Sequence, residues 1–395
     1  MTQNKSRLKI LIEILIVSTR LGLTSFGGPI AHLGYFHEEY VRKRKWMDEK
    51  SYADLVALCQ FLPGPASSQV GIGIGVMRGG VLGGIVSFIG FTLPSVIALI
   101  VFALILQGLN VSDLSWIHGL KLVAVAVVAH AILGMAEKLT PDLKRKTIAL
   151  LALIGTLLWQ TAFSQVGVIL LAGILGFLLY KDQTNNDETK YEFPISKKFA
   201  VICLSLFFAL LLLLPLLRDA TSNSWIAIFD SFYRSGSLVF GGGHVVLPLL
   251  EREFVPSGWI SEEAFLAGYG VAQAVPGPLF TFAAYIGAVM NGWQGGLLAT
   301  VAIFLPAFLL ILGTLPFWNM LRQNAKIKGA LMGVNAAVVG ILISAFYQPI
   351  WTSTIIKPID FAFAAVLFSM LVYWKLPPWV IVVTGALGGL LMSFL

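Results

Sequence analysis

Charged residues are scarce in this chain. Asp, Glu, Lys and Arg make up only 12% of its 395 residues, whereas 57% are hydrophobic. A soluble globular domain has about 25% charged residues. The shortage of charge therefore excludes an ordinary soluble fold and indicates a chain that lies mostly in lipid.

Residues that form catalytic and metal centres are also few. The chain has two cysteines, Cys59 and Cys203, both in apolar stretches, and five scattered histidines. One such cysteine pair gives neither a disulfide framework nor a metal site. The motifs HExxH, GxSxG and GxxxxGKS/T are absent from the sequence, and they would mark metalloprotease, hydrolase and nucleotide sites. We therefore expect no enzyme, no metal, no cofactor and no direct coupling to ATP.

Long apolar runs dominate the sequence. Each of five runs is long enough to cross about 30 Å of hydrocarbon as a helix, and none alternates as a barrel strand would. Backbone groups in lipid must pair within their own segment, so the predicted fold class is an all-α polytopic membrane protein. A further stretch, residues 147–180, has polar residues in its middle and predicts two short helices. The five runs are residues 81–107, 119–136, 199–217, 295–315 and 328–346.

The sequence contains an internal repeat. RLGLTSFGG at residues 20–28 recurs as RSGSLVFGG 214 residues later, and QFLPGP at residues 60–65 recurs as QAVPGP 213 residues later. Order and spacing are kept, so the chain consists of two copies. The predicted domains are a first copy at residues 1–180, a polar linker with one unmatched apolar helix at residues 181–221, and a second copy at residues 222–395.

The unmatched helix would invert the second copy if each copy crosses the membrane an even number of times. A basic loop in the first copy is matched by residues 251–263, where the only basic residue is Arg252. Basic loops face the cytoplasm, so we predict inverted repeats with a cytoplasmic N-terminus. A parallel duplication is the alternative. The basic residues of the first loop are Arg42, Lys43, Arg44, Lys45 and Lys50.

Glycine and proline predict helices that break inside the membrane. If the basic loop is cytoplasmic, residues 8–40 start and end on the same side and must turn at Phe26-Gly-Gly-Pro29. Further breaks are predicted at Pro63-Gly-Pro65 and at its twin, Pro276-Gly-Pro278. Broken helices that meet near the midplane form the substrate sites of many transporters, with free helix N-termini pointing at anions.

Hydroxyl and amide side chains follow the first Pro-Gly-Pro break, and Thr281 holds the position of Ser68 in the second copy. Together with unpaired backbone N–H groups they would suit an oxyanion. Capping of a broken helix is the alternative, because capping uses the same groups. The candidate substrate-binding residues are Arg20, Ser25, Gly27, Gly28, Gly64, Ser67, Ser68, Gln69, Arg234, Gly241, Gly242, Gly277 and Thr281.

Two matched arginines precede the Phe-Gly-Gly breaks. Arg20 lies roughly 18 Å along a helix that enters at Leu8, which is mid-depth in the membrane. A cation there needs an anionic substrate or an acidic partner. We expect Arg20 and Arg234 to share a dianion. The alternative is structural pairing with Glu39, Glu253, Glu13 or Asp230.

Three residues are candidates for coupling proton movement to anion movement. Glu39 and Glu253 occupy matched positions, and His244 follows a run of three glycines. Half-buried carboxyl groups and histidines can titrate near neutral pH. Structural roles at the ends of broken helices are the alternative for all three residues.

Phe26-Gly-Gly-Pro29, Phe61-Leu-Pro-Gly-Pro65, Phe240-Gly-Gly-Gly243 and Val275-Pro-Gly-Pro278 carry a family resemblance. In their order and spacing, the chain resembles the chromate ion transporter family in its long two-domain form, over nearly all of its length. The resemblance implies a multi-pass cell-membrane protein that exports chromate, with sulfate as a structural analogue. Short members of that family supply the two halves as separate chains.

We therefore expect a secondary transporter that moves a small oxyanion by alternating access, driven by the membrane potential or a proton gradient. A transporter of sulfate or another small anion, and a passive anion channel with a continuous polar pore, are alternatives. The partners are the oxyanion and the lipid bilayer, and a homodimer is left open. The net charge of +7 does not indicate nucleic acid, because the basic residues form short clusters between apolar runs.

Overall fold

A computed structural model describes residues 7–26, 28–107, 115–159, 162–180, 195–221, 223–239, 246–318 and 324–392. Within these ranges the chain is helical and has no strand, which confirms the all-α prediction. Both cysteines are free and buried.

The helices are numbered here in chain order. Short helical stretches include the π-helical His37–Lys43 and Phe346–Trp351, the 3-10 turns Leu279–Thr281 and Leu315–Phe317, and the α-helical turn Thr352–Thr354. The helices are α1 (Arg7–Thr24), α2 (Pro29–Phe36), α3 (Glu49–Phe61), α4 (Ala66–Gln107), α5 (Ser115–Leu139), α6 (Leu143–Leu158), α7 (Ala162–Leu179), α8 (Lys197–Ala220), α9 (Ser224–Leu238), α10 (Val246–Phe254), α11 (Glu262–Ala274), α12 (Phe282–Thr314), α13 (Ala325–Ala345), α14 (Pro358–Val372) and α15 (Pro378–Met392).

Five apolar helices among the described residues are long enough to cross a membrane, and they contain the five runs predicted from the sequence. Residues 147–180 contribute two helices, α6 and α7, as expected. The five long segments are Ala66–Leu106, His118–Leu139, Lys197–Ala220, Leu279–Phe317 and Lys326–Thr354.

Short polar side chains start several helices outside these long segments. The Asp48 carboxylate accepts a hydrogen bond from the backbone N–H of Ser51 at 2.9 Å and begins α3, and Asp142 begins α6 by accepting from the Arg145 N–H at 2.9 Å. Such caps satisfy N–H groups that have no partner within the helix. The side-chain hydroxyl of Ser51 also bonds Asp48, and these hydrogen bonds lower the pKa of that carboxyl.

Helices α4 and α12 are each broken at matched positions. In α4 the break is at Gly79 (φ −131°, ψ 15°) and Gly80 (φ 66°, ψ −164°). In α12 it is at Asn291 (φ −139°, ψ 35°) and Gly292 (φ 62°, ψ −163°). The positive φ requires glycine at the second position of each break. The sequence repeat is therefore also a repeat of backbone conformation.

The two arms of each broken helix touch through their backbones. A Cβ atom added to Gly75 would collide with the carbonyl oxygen of Gly83, and one added to Gly287 would collide with that of Gly295. Small residues allow such close approach of helices in membranes. Each break therefore folds one arm of the helix back against the other.

The chain divides into two compact units, and each contains helices of both copies. The units follow packing, whereas the predicted domains follow the sequence repeat. In the first unit α12 packs against α8 and α9, and in the second unit α13 packs against α6 and α7 and α15 packs against α5. The first unit comprises Met1–Val101, Glu188–Gly243 and Val275–Met320, and the second comprises Phe102–Asp187, His244–Ala274 and Leu321–Leu395.

We expect Gly75→Ala to destabilise the protein, because the added methyl group collides with the opposite arm of α4 and overpacking costs about 1–3 kcal/mol. Gly287→Ala should behave alike. Gly134→Ala in α5 is the control, since a Cβ there meets nothing within 4 Å. The measurement is the melting temperature in detergent. If Gly75→Ala melts with the wild type, the arms are not packed as described.

Candidate functional site

The two Pro-Gly-Pro breaks are held by a reciprocal pair of hydrogen bonds within the first compact unit. The Gly64 N–H donates to the carbonyl oxygen of Val239 at 2.6 Å, and the Gly277 N–H donates to that of Ser25 at 2.9 Å. Gly64 matches Gly277 in the repeat, and Ser25 matches Val239. The Pro-Gly-Pro break of each copy is therefore hydrogen-bonded to the residue just before the Phe-Gly-Gly element of the other copy. Such reciprocal contacts are typical of parts related by a two-fold axis.

Both donors of this pair of hydrogen bonds, Gly64 and Gly277, must be glycine. Gly64 has φ 109° and Gly277 has φ 107°, a region that other residues rarely adopt. Space is short as well, because a Cβ on Gly277 would lie 2.5 Å from the Ser95 hydroxyl oxygen and one on Gly64 would lie 3.1 Å from Ala307 Cβ. The Pro-Gly-Pro sequences thus fix a close backbone approach between the copies.

Buried polar groups without a partner gather around these breaks. The hydroxyl groups of Ser25, Ser68 and Thr92 have no hydrogen-bond partner among the described residues, and neither has the Gln69 side-chain oxygen. The Gln69 amide nitrogen donates to the carbonyl oxygen of Pro63 at 2.8 Å. All four residues are at most 2% exposed. Since buried polar groups are normally paired, the three hydroxyl groups are available to donate to a polar ligand, whereas the Gln69 oxygen can only accept.

We define the buried polar cluster as Ser25, His32, Ser67, Ser68, Gln69 and Thr92, which are connected by one direct polar contact and by contacts of their backbones and sequence neighbours. The carbonyl oxygen of Ser25 holds Gly277, which packs against the turn of α4 that contains Phe91 and Ser95. The Phe91 ring meets the edge of the His32 ring at 5.5 Å. His32 Nδ1 in turn lies 3.2 Å from the Ser67 hydroxyl oxygen. The polar cluster therefore runs from the end of α1 to the first turn of α4.

Sequence reasoning found four members of this cluster and missed His32 and Thr92. Ser25, Ser67, Ser68 and Gln69 stood next to predicted helix breaks, which drew attention to them. Thr92 lies inside α4, away from the predicted breaks, whereas His32 lies in α2 only three residues after Pro29 and was still missed. A position-by-position comparison of the two copies would have found them, because the second copy has Val246 and Phe304 at these positions.

The remaining small candidates differ in their surroundings. Gly28 is extended (φ −81°, ψ −177°) and precedes Pro29 at the start of α2. The buried Thr281 hydroxyl donates to the carbonyl oxygen of Pro278 at 2.7 Å, so it caps its own break. Four candidates, Gly27, Gly241, Gly242 and His244, lie outside the described residues.

The two arginines have different environments. Arg20 is exposed on α1. Arg234 is paired with Asp230, its Nη2 lying 2.8 Å from the carboxylate, while Arg218 lies 3.4 Å from the same group. Because Asp230 is fully buried, it needs such partners. The structural pairing of Arg234 that the sequence left open is therefore present, and the structure does not place Arg20 in a comparable pair among the described residues.

Glu39 belongs to an ion-pair network at the other end of α1. Its carboxylate accepts from Arg44 Nε at 2.7 Å, and Glu13 lies 3.5 Å from Arg44 and 3.3 Å from Arg78. The Arg78 guanidinium also stacks 4.4 Å above the Trp46 ring. Arg44 thus compensates the burial of Glu39, while Arg44 and Arg78 together neutralise Glu13.

The matched carboxyl group, Glu253, lies in the second compact unit. The backbone carbonyl oxygen of Glu253 accepts a hydrogen bond from the Ser257 hydroxyl at 2.8 Å. Ser257 stands where the first copy has Arg44. The arginine that pairs with Glu39 thus has no counterpart at the matched position of the second copy, although the sequence repeat relates the two glutamates.

Known proteins resemble the chain over both copies. A family model described as chromate transporter matches residues 12–177 and 226–390. The chain is 30% identical to a probable chromate transport protein of Synechococcus elongatus, over 94% of this chain and 93% of the relative. It is 26% identical to a chromate transport protein of Cupriavidus metallidurans, over 96% and 92%.

An uncharacterized transporter of Methanocaldococcus jannaschii is 27% identical, over 86% of this chain and 84% of the relative. No solved structure matches the chain. Since the family model covers most of both copies and the helices are long and apolar as a membrane protein requires, the chain belongs to the chromate transporter family.

Proposed function

We propose that the chain is a secondary transporter that exports chromate, or a similar tetrahedral oxyanion, through a site formed by the buried polar cluster. The observation that carries this proposal is the set of buried hydroxyl groups without partners, Ser25, Ser68 and Thr92. They lie beside the helix breaks of the first compact unit. Membership in the chromate transporter family and relatives named as chromate transport proteins support the choice of substrate.

The chemistry of the polar cluster suits an oxyanion that must bind and leave again. A fully deprotonated oxyanion only accepts hydrogen bonds, and hydroxyl groups and helix N-terminal amides donate them. The first turn of α4 brings Ser67 and Ser68 together with the amides that follow Pro65. No Asp, Glu, Lys or Arg belongs to the polar cluster, so the proposed site holds the anion with neutral hydroxyl and backbone amide donors and without a permanent ion pair.

The breaks suit alternating access. Helices that are already interrupted can move as separate arms, and the site would open to one side of the membrane and then to the other. We infer inverted repeats with a cytoplasmic N-terminus, in line with the basic residues of the first-copy loop. At 100 mV, negative inside, export of a dianion is favoured by about 4.6 kcal/mol, since each charge contributes about 2.3 kcal/mol.

Inside-out vesicles that contain the protein should take up chromate saturably, and excess sulfate should compete. Saturation is expected because the proposed site binds one anion at a time. The measurement is chromate accumulation at several concentrations, with vesicles from cells lacking the protein as the control. Uptake no higher than in these vesicles would reject chromate as substrate, and uptake that rises linearly without saturation would indicate a channel.

Ser68→Ala should raise the chromate concentration for half-maximal uptake about tenfold, because a hydrogen bond to a charged group is worth about 1.5–3 kcal/mol and 1.4 kcal/mol is a factor of ten. The melting temperature should not fall, since the hydroxyl has no partner among the described residues. Ser237→Ala is the matched control, because its equally buried hydroxyl donates to the carbonyl oxygen of Tyr233. Wild-type uptake by Ser68→Ala would remove Ser68 from the site.

Substitution of Arg234 should affect the stability of the protein, whereas substitution of Arg20 should affect chromate transport. Arg234→Gln should lower the melting temperature, because it takes a charged partner from the buried Asp230. Arg20→Gln should leave the melting temperature unchanged and weaken uptake at low chromate, since an exposed cation attracts anions. Unchanged uptake in Arg20→Gln membranes would contradict a role for Arg20 in anion transport.

A further inference from the structure

The two copies differ in polarity around their breaks. When the copies are matched through the Phe-Gly-Gly, Pro-Gly-Pro and Leu-Pro elements, six polar residues of the first copy correspond to apolar residues of the second. Other pairs differ: Ser68 and Thr281 both carry a hydroxyl group, position 60 and its match 273 are both Gln, and Ile30 corresponds to His244. The matched pairs are Ser25 and Val239, His32 and Val246, Ser67 and Phe280, Gln69 and Phe282, Thr92 and Phe304, and Ser95 and Ala307.

Aromatic packing fills the second-copy positions. Phe280 and Phe304 are buried, and their ring centroids are 5.9 Å apart. The Phe304 ring also meets the Phe88 ring at 5.1 Å. Where the first copy has the hydroxyl groups of Ser67 and Thr92, the second copy thus has two rings in contact. A hydrocarbon wall of this kind offers an oxyanion no hydrogen-bond donor.

His32 is the residue that distinguishes the polar copy most clearly. It is 1% exposed, and its Nδ1 and the Ser67 hydroxyl oxygen are 3.2 Å apart. The neutral ring can carry its proton on either nitrogen. With the proton on Nδ1, His32 donates to Ser67, and the Ser67 hydroxyl then has its own proton left to donate to a ligand.

We propose that the chain holds a single oxyanion site, whose donors come from the first copy alone, and that His32 is its positioning residue, which turns the Ser67 hydroxyl toward the anion. The second copy contributes an apolar wall and the backbone contacts of Gly277. This inference rests on the proposed oxyanion transport and deepens it. Both copies thus contribute matching helix breaks, while only the first copy contributes the side chains that donate hydrogen bonds to the anion.

A one-sided site has a direct consequence for stoichiometry. Two equivalent sites would bind two anions for each chain, whereas a site built by the first copy binds one. Binding of radiolabelled chromate to the purified full chain in detergent, at saturating concentration, should therefore give about one anion for each chain. Two anions for each chain would overturn the proposal.

Substitution of His32 tests its role separately from folding. His32→Val installs the residue of the second copy and should raise the concentration for half-maximal chromate uptake at least tenfold. His32→Asn should restore most of the affinity, because the Asn amide nitrogen can donate from nearly the same place as Nδ1. Ser67→Ala should match His32→Val. Ser235→Ala is the control, since this buried hydroxyl donates to the carbonyl oxygen of Ser231.

The outcomes separate this inference from the proposed function. If the wild-type protein moves neither chromate nor sulfate, the proposed function fails. If the wild type transports but His32→Val keeps wild-type affinity, only the inference fails. An equal loss of chromate affinity in His32→Val and His32→Asn would also overturn the inference, because a hydrogen-bond donor at position 32 would then not restore binding. If His32→Val does not fold, as shown by its melting temperature, Ser67→Ala decides: wild-type affinity in this variant overturns the proposal.

Discussion

Two backbone hydrogen bonds, one from Gly64 to Val239 and one from Gly277 to Ser25, are the contacts on which the rest of the site depends. A helix that breaks in lipid exposes amide groups, and each unpaired group costs several kcal/mol there. The two hydrogen bonds give one backbone amide of each Pro-Gly-Pro break a carbonyl partner in the other copy. They also fix Ser25 beside the second break, and with it the end of α1 at which the buried polar cluster begins.

The two copies share a backbone but not a chemistry. The breaks at Gly80 and Gly292 have nearly the same dihedral angles, and both Pro-Gly-Pro glycines adopt the same positive φ. Side chains around these breaks have diverged, with hydroxyl groups in one copy and phenyl rings in the other. The ion-pair network of Glu13, Glu39, Arg44 and Arg78 likewise draws on first-copy residues. Duplication thus supplies a scaffold, and each copy can specialise on it.

The buried charge of Asp230 is compensated by one arginine four residues further along the same helix and by a second arginine on another helix. Asp230 is fully buried between Arg234 and Arg218, although the sequence offered four acidic residues for the arginines. Burial of a carboxylate without a cation costs several kcal/mol, which explains why two arginines surround it. Matched positions in a repeat therefore do not imply matched roles, as Arg20 and Arg234 illustrate.

The breaks at Gly79-Gly80 and Asn291-Gly292 were not expected from the sequence, which by itself determined the helical class, the five long apolar segments, the two copies and the breaks at the first Phe-Gly-Gly and the two Pro-Gly-Pro elements. These features depend on local properties, namely hydrophobic length, positive φ at glycine and the repeat of short motifs. Only the tertiary structure decided that His32 meets Ser67, that Thr92 joins the buried polar cluster and that Gly277 holds Ser25. These contacts join residues far apart in the chain, and their geometry follows from how broken helices pack, which no local pattern encodes.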